Sequence, residues 1–303
     1  MNEPSVLTPR QVPLGGLRAM TVRRTLPQRE RSLIGAWCFV DHYGPDRVAD
    51  SGGMQVPGHP HTGLSTVSWL FTGTVEHRDT TGVHALVRPG ELNLMTAGRG
   101  IAHSEFSTPD TEVLHGAQLW LALPDRARFT DPGFAHYAPA PVDLDGARTL
   151  VFLGELAGSC SPVTTHSPLL GAELTLHQGQ TVEIPVAAAF EHGVLVDTGL
   201  VTVNGQPAKA EDLVYCPPGA RALRLAADEP TRILLLGGEP LGEQIVMWWN
   251  FIGRSHEEIV EFRAAWEQER ATGGGPRYGQ FPDAWTVTIG APELPNVRMR
   301  LRG

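Results

Sequence analysis

Lysine is almost missing from this 303-residue chain: Lys209 stands alone among 24 basic residues, and the rest are arginines. With abundant Ala, Gly and Pro, that bias reads as genome composition rather than chemistry. Basic charge is also outnumbered. Thirty-three acidic residues give a formal net charge of −9, which argues against the basic face that a large duplex-DNA footprint needs. No run of basic residues marks a patch. Cysteine is scarce: Cys38, Cys160 and Cys216 lie far apart and form no CxxC pair, which excludes a disulfide framework and a thiolate zinc site and points to a reducing compartment. Long apolar runs are absent. The longest core-like stretch, ILLLGG at 233–238, is far short of the ~18 residues of a membrane span. The N-terminus MNEPSVLTPR lacks a basic-then-apolar signal architecture. The expectation is a soluble, cytoplasmic protein with no membrane contact and no direct nucleic-acid binding.

What the chain does have is strand and turn. Apolar residues make up 41%, alongside 34 Gly and 25 Pro, a globular and turn-rich composition. In TVSWLFT (66–72), Val67, Trp69 and Phe71 recur at a spacing of two, the period of a half-buried strand. ELNLM (91–95) follows a Pro89–Gly90 turn, and AQLWLAL (117–123) alternates again before Pro124. A Pro-bearing polar stretch, 139–149, reads as a linker. A second series of short strands follows at 150–156, 172–177, 181–186, 193–196, 200–203, 213–216 and 232–236. Runs of this length between Gly and Pro suggest sandwiches or barrels. Two units of comparable length, 1–140 and 141–303, suggest a duplicated all-β architecture. One helix is predicted late. Ser255 and Glu258 form a capping-box pattern, Ile259, Phe262 and Trp266 share one face, and Gly273–Gly275 ends the run. The tail 276–303 reads as a strap over the core.

Two histidine motifs stand out. The first is Gly58-His59-Pro60-His61-Thr62-Gly63. The second runs from Thr96 to Glu105 (TAGRGIAHSE) and ends on His103 and Glu105. On extended backbone, residues two apart point to the same side, so each pair aims two ligand-type side chains into one barrel interior. Singly the signals are weak, because twelve histidines give on the order of half an HxH pair by chance. His256 and Glu258 form another HxE, but on a helix start residues two apart diverge, so they are rejected as a ligand pair. The conjunction is more specific. His61 and His103 are 42 residues apart, room for several short strands that bring the pairs together.

GHPHTG, MTAGRGIAHSE and AQLWLALP, with GGEPLGEQIVMWWNFIGRSHEEI at 237–259, closely resemble the pirin family, the bicupins. The resemblance covers most of the chain. It implies two face-to-face cupin (jelly-roll) β-barrels with a short C-terminal helix, and one metal in the N-terminal barrel held by His59, His61, His103 and Glu105. One position departs from the pattern: Ser65 stands where many cupins and pirins carry Glu, removing a second carboxylate from the site's vicinity. Three imidazoles and one carboxylate suit a single divalent transition metal, with Fe(II) the first choice and Mn, Ni, Cu or Zn compatible. Four ligands on an octahedral ion leave two adjacent positions for dioxygen or a chelating substrate.

The remaining histidines are read as bystanders. His77, His84, His115 and His136 lack a paired partner and are expected at the surface or behind the ligands, and His42 is expected in a turn. His166, His177 and His192 form no HxH or HxE, so the second barrel is expected to be metal-free. Trp248, Trp249 and Phe251 are expected to serve in packing, and Arg99 to hold the glycine-flanked turn through backbone carbonyls.

For function, the resemblance implies a quercetin-type dioxygenase that opens the central ring of a flavonol with O2 and releases carbon monoxide, with Glu105 as general base for the 3-hydroxyl. The alternative it implies is a non-enzymatic iron protein that binds a protein partner according to the metal's redox state. A monomer is expected in either case.

Overall fold

The alternating apolar segments build two large antiparallel sheets, one from each half of the chain. In the computed structural model, which describes residues 3–13 and 20–303, the first seven-stranded sheet centres on Trp37–Arg47, Leu64–Thr72 and Val113–Ala122. The second centres on Leu169–Leu176, Glu191–Thr198 and Thr231–Gly238. Each is backed by a four-stranded sheet: Gln55–His61, Val75–Asp79, His84–Val87 and Ile101–Ser107 in the first half, and Thr181–Pro185, Leu200–Val203, Gln206–Lys209 and Ala222–Ala227 in the second. The fold is all-β with two cupin barrels and one C-terminal helix, as expected.

The two large sheets face each other across one apolar layer containing Val67, Trp69, Leu119, Phe152, Leu195 and Leu234. Trp69 shows how it is held. Its ring stacks on Phe152 at 4.4 Å, and its Nε1 donates to Glu173 Oε2 of the second barrel at 2.7 Å. Each buried aromatic contributes large apolar area, and the indole N–H has found the partner that burial demands.

The strand over 64–72 corrects one expectation. It is buried on both faces along most of its length rather than half-buried. Val67 and Trp69 enter the interdomain layer, while Ser68 reaches the barrel interior and Glu105. Its polar side is hydrogen-bonded inside the barrel instead of meeting bulk water. The expected linker 139–149 is also corrected. Val142–Leu144 pairs with Ala147–Leu153 as a hairpin, turned by Asp145 and Gly146 at φ 50° and 83°, the left-handed pair that a tight hairpin requires. Its polar, Pro-bearing composition reflects an edge strand and a turn.

The ends of the chain cross over. Ser5–Leu7 adds an edge strand to the second large sheet opposite Leu213–Tyr215. The C-terminal segment packs against the first barrel, with Gly58 bridging Thr288 and Thr62 bridging Phe251. The predicted strap is therefore present and covers the small sheet that carries the histidines. Gly58 allows it: a Cβ there would lie 2.5 Å from the Trp285 ring. The helix, His256–Thr272, is capped by Ser255, which accepts from Glu258 N, and ends at Gly273 at φ 82°. Ile259, Phe262 and Trp266 are buried on its inner face. No helix of the described residues is long and apolar enough to cross a membrane.

His192 sits buried in the second barrel with neither ring nitrogen hydrogen-bonded, and burial lowers its pKa to about 4. A histidine kept neutral in the fold but protonated when unfolded stabilises fully above its ordinary pKa near 6.5 and loses that contribution as pH falls toward 4. His192→Leu is therefore expected to raise the melting temperature at pH 5 relative to wild type, by an amount corresponding to about 1–2 kcal/mol. A smaller change is expected at pH 7.5. Equal shifts at both pH values in thermal melts would contradict this.

Candidate metal centre

The strands Gln55–His61 and Ile101–Ser107 lie side by side and antiparallel, with His59 directly opposite His103 and His61 opposite Ile101. The period of two puts both histidines of the first motif on the inward face, and the register brings His103 to them. Ring centroids are 5.0 Å apart for His59 and His61, 4.4 Å for His59 and His103, and 4.9 Å for His61 and His103. His61 Nε2 and His103 Nε2 are 3.1 Å apart. One ligand atom from each of the three buried rings lies within 4.8 Å of the others. Gly98, at φ 52°, shapes the turn before His103; a Cβ there would meet the Thr130 carbonyl at 2.0 Å.

Glu105 is placed differently from the three imidazoles. The register slips between His103 and Glu105, so that Glu105 faces Val56, and such a slip re-aims a side chain. Its carboxylate falls within 4.8 Å of His103 and His77 rather than joining the His59–His61–His103 group. It lines the same cavity as those histidines. Ser68 Oγ lies 3.2 Å from Glu105 Oε1 and 3.0 Å from Gln118 Oε1. Burial raises the Glu105 pKa, partly offset by His77 and the Ser68 hydroxyl.

Burial likewise depresses the imidazoles: His59 falls to about 4, and His61 and His103 fall well below the ordinary value, helped by each other's proximity. At neutral pH all three are in the neutral state that ligation requires. His59 Nδ1 lies 2.9 Å from the Pro57 carbonyl, so Nδ1 carries the proton and Nε2 is a free lone pair. His61 Nδ1 is buried without a well-formed partner. Convergent imidazole nitrogens that burial keeps unprotonated are a donor set for a cation, and their chemistry fits a divalent transition metal.

A cavity of about 830 Å³ opens onto these side chains. Phe39 and Trp120 form one wall, stacked at 4.0 Å and 10°. Trp249 and Met247 also line it, so Trp249 faces the cavity instead of serving in packing alone, while Phe251 is buried. Arg10, Arg24, Arg29, Arg300 and Arg302 line it too. The expectation of no basic patch is thus corrected: strands and tail far apart in the chain assemble one at the cavity. Arg24 is engaged with buried Asp41 through two 2.6 Å contacts.

Several further residues stand elsewhere than expected. Ser65 Oγ meets Thr96 Oγ1 at 3.2 Å and lies among residues such as Leu94 and Leu169, away from the metal cavity, so this departure leaves the site's charge untouched. Arg99 pairs with Asp131 through its side chain rather than holding carbonyls. His84 and His136 are exposed, as expected.

His42 and His115 are neither turn nor surface residues but are buried between the domains. His42 Nε2 lies 2.7 Å and His115 Nε2 2.6 Å from the same Asp197 oxygen, and Arg232 Nε binds the other oxygen at 2.6 Å. Burial alone would raise the Asp197 carboxyl, but its histidine donors outweigh that and hold it well below the usual carboxylate range. Arg23 approaches His42 Nδ1 at 3.3 Å and Arg232 approaches His115 Nδ1 at 3.4 Å. Since guanidinium only donates, both Nδ1 atoms accept and both Nε2 atoms carry protons toward Asp197. His115 Nε2 lies close to the carboxylate without a well-formed hydrogen bond, and the proton on each Nε2 leaves neither ring a lone pair facing Asp197.

His77 was expected to lack a paired partner. It has one in Asp79, two residues along the same strand, with His77 Nε2 3.2 Å from Asp79 Oδ2. The signal was a third period-two pair of ligand-type residues, His and Asp, on the strand next to His103.

Two cupin barrels stacked face to face, the first carrying a cluster of inward imidazoles, define a bicupin with a metal-ligand site. The pirin family profile matches residues 19–121 and that of the pirin C-terminal cupin domain matches residues 171–272; the chain belongs to the pirin family. It is 42% identical, over 95% of this chain and 90% of the other, to a Pseudomonas aeruginosa protein that carries a provisional quercetin 2,3-dioxygenase name. A pirin-like protein of Caulobacter vibrioides is 34% identical over 86% of this chain and 92% of its own. The crystal structure of a quercetin 2,3-dioxygenase from Acinetobacter baumannii superposes with a TM-score of 0.90 at 38% identity, covering 98% of this chain and 97% of that one.

Proposed function

We propose that this protein is a metal-dependent dioxygenase acting on a flavonol of the quercetin type, with His59, His61, His103 and Glu105 as the metal ligands and residues 1–140 as the catalytic unit. The observation that carries this reading is the convergence of three neutral imidazoles at an aromatic-walled cavity open to a small molecule. The likeness to quercetin 2,3-dioxygenases over nearly the whole chain supports it. When bound, the metal, with Fe(II) the first choice, would supply Lewis acidity toward the flavonol 3-hydroxyl and the electron-transfer capacity that dioxygen chemistry requires.

The chain's own groups do the rest. Phe39 and Trp120 offer a flat stacked face to a planar ring system. Glu105 takes the 3-hydroxyl proton. A carboxylate has two oxygens, so one can ligate while the other accepts that proton. The arginines at the cavity that pair with no carboxylate among the described residues, Arg10, Arg29, Arg300 and Arg302, favour the phenolate forms of the substrate. Ring opening consumes O2 and releases carbon monoxide.

The test is anaerobic reconstitution with each candidate metal followed by O2 uptake with quercetin. The expected result is quercetin-dependent uptake with equivalent carbon monoxide. No turnover with any of the metals would overturn the proposal. Glu105→Gln is expected to cut kcat by about 100-fold or more, measured by the same uptake.

A further inference from the structure

Asp79, His77 and His103 form a line across two neighbouring strands. Asp79 Oδ1 accepts from Thr81 N at 2.8 Å, Thr81 Oγ1 at 2.6 Å and Val83 N at 3.2 Å. Three donors therefore occupy that oxygen, and Oδ2 is left for His77 Nε2 at 3.2 Å. On the far side of the His77 ring, Nδ1 lies 3.3 Å from His103 Nδ1. The opposite nitrogen of His103, Nε2, is the one that faces His61. His77 and Asp79 are buried, at 3% and 1% exposure, so water does not compete for these positions.

The proton positions follow from one end to the other. An ionised carboxylate only accepts, so His77 carries its proton on Nε2. A neutral imidazole has one proton, so His77 Nδ1 is an acceptor, and the proton between the two rings belongs to His103 Nδ1. His103 Nε2 is then a bare lone pair aimed at His61 and His59. We infer that Asp79 and His77 are positioning residues that lock His103 into its metal-ligating tautomer, the carboxylate acting on the metal site through two imidazoles in series. This rests on the reading of His59, His61 and His103 as metal ligands. Acceptors behind ligating histidines commonly set ring orientation and ligand basicity; here the acceptor is itself a histidine, fixed in turn by a carboxylate in a turn of its own strand.

Asp79→Asn should reverse the relay. The three donors on Oδ1 require an acceptor there, so the amide oxygen stays and the amide nitrogen takes the place of Oδ2. It then donates to His77 Nε2. The His77 proton must move to Nδ1, His103 Nδ1 must become the acceptor, and the His103 proton moves to Nε2, where it blocks ligation. Thr81→Val is the control, since it removes one donor from the turn and leaves the carboxylate facing His77.

Two readouts are needed on the full-length chain. Long-range 1H–15N spectra of the metal-free protein report which nitrogen of His77 and His103 is protonated. Competition between the protein and a chromophoric chelator for Zn(II) or Ni(II) reports affinity. In wild type and Thr81→Val, His103 should be protonated at Nδ1, whereas in Asp79→Asn it should be protonated at Nε2. Affinity should fall about 10–100-fold in Asp79→Asn alone. An unchanged His103 tautomer with unchanged affinity in Asp79→Asn would overturn the inference, as would an equal loss in Thr81→Val, which would mark a merely structural turn. If none of the proteins binds either ion while the tautomers still reverse, the metal reading fails and the relay stands.

Discussion

His103→Ala is expected to leave the purified chain unable to retain a divalent metal, with affinity down by more than about 100-fold and quercetin-dependent oxygen uptake at background. The size of the effect follows from the residue's position. His103 is the one ring shared by both groups of ligand-type side chains: it stands with His59 and His61 on one side and with His77 and Glu105 on the other. Acceptors behind a ligand commonly cost 10–100-fold when removed, and removal of the ligand itself costs more. Metal per chain after dialysis, measured by elemental analysis, checks the first half of the expectation and an oxygen electrode the second. The exposed His84 is the matched control: His84→Ala should leave both unchanged. Retention of one tightly held metal by a folded His103→Ala protein would show that the three imidazoles are not the binding set.

The largest effect on stability is expected away from the metal. Asp197→Ala should cost about 3 kcal/mol, because it removes the buried carboxylate that half-buried Arg232 and the two buried imidazoles of His42 and His115 surround. His42 and His115 come from the first large sheet and Asp197 and Arg232 from the second, so the loss falls on the contact between barrels. Urea unfolding followed by tryptophan fluorescence should show a lower midpoint, and separation of the two barrels into distinct transitions would locate the damage at the interface. A change within about 0.5 kcal/mol would mean the network contributes nothing. The same carboxylate carries a pH dependence of opposite origin to that of His192. With its folded pKa held below the unfolded value, its contribution is complete above about pH 4 and disappears as pH falls below that.

Much of the site was legible from local pattern. His59-Pro60-His61 and His103-Ser104-Glu105 share a spacing of two, and the strands place them on adjacent antiparallel segments with His59 facing His103. His77-Arg78-Asp79 has the same spacing and could have been read the same way. Spacing alone does not single it out, and only the pairing of Val75–Asp79 with Ile101–Ser107 makes it a neighbour of the imidazole cluster. The cavity's arginines had no sequence signature, since they come from two N-terminal strands, the loop after the second and the last residues of the tail. His42 and Asp197, 155 positions apart, meet only because the two barrels stack.

What the amino-acid order alone determined was the strand periodicity, the helix with its Ser255 cap and Gly273 stop, and the pairs of ligand-type residues that point to one side of a strand. These are local properties, set by backbone geometry within a few residues. What the tertiary structure decided was register and partnership: the slip that turns Glu105 toward His77, the Trp69–Glu173 and Asp197 contacts across the interface, and the tail laid over the histidine sheet. Those depend on which strands become neighbours, and burial then sets the protonation of every group brought inside, because a charge that is tolerated in water is retained in the interior only where a partner stands within hydrogen-bonding distance.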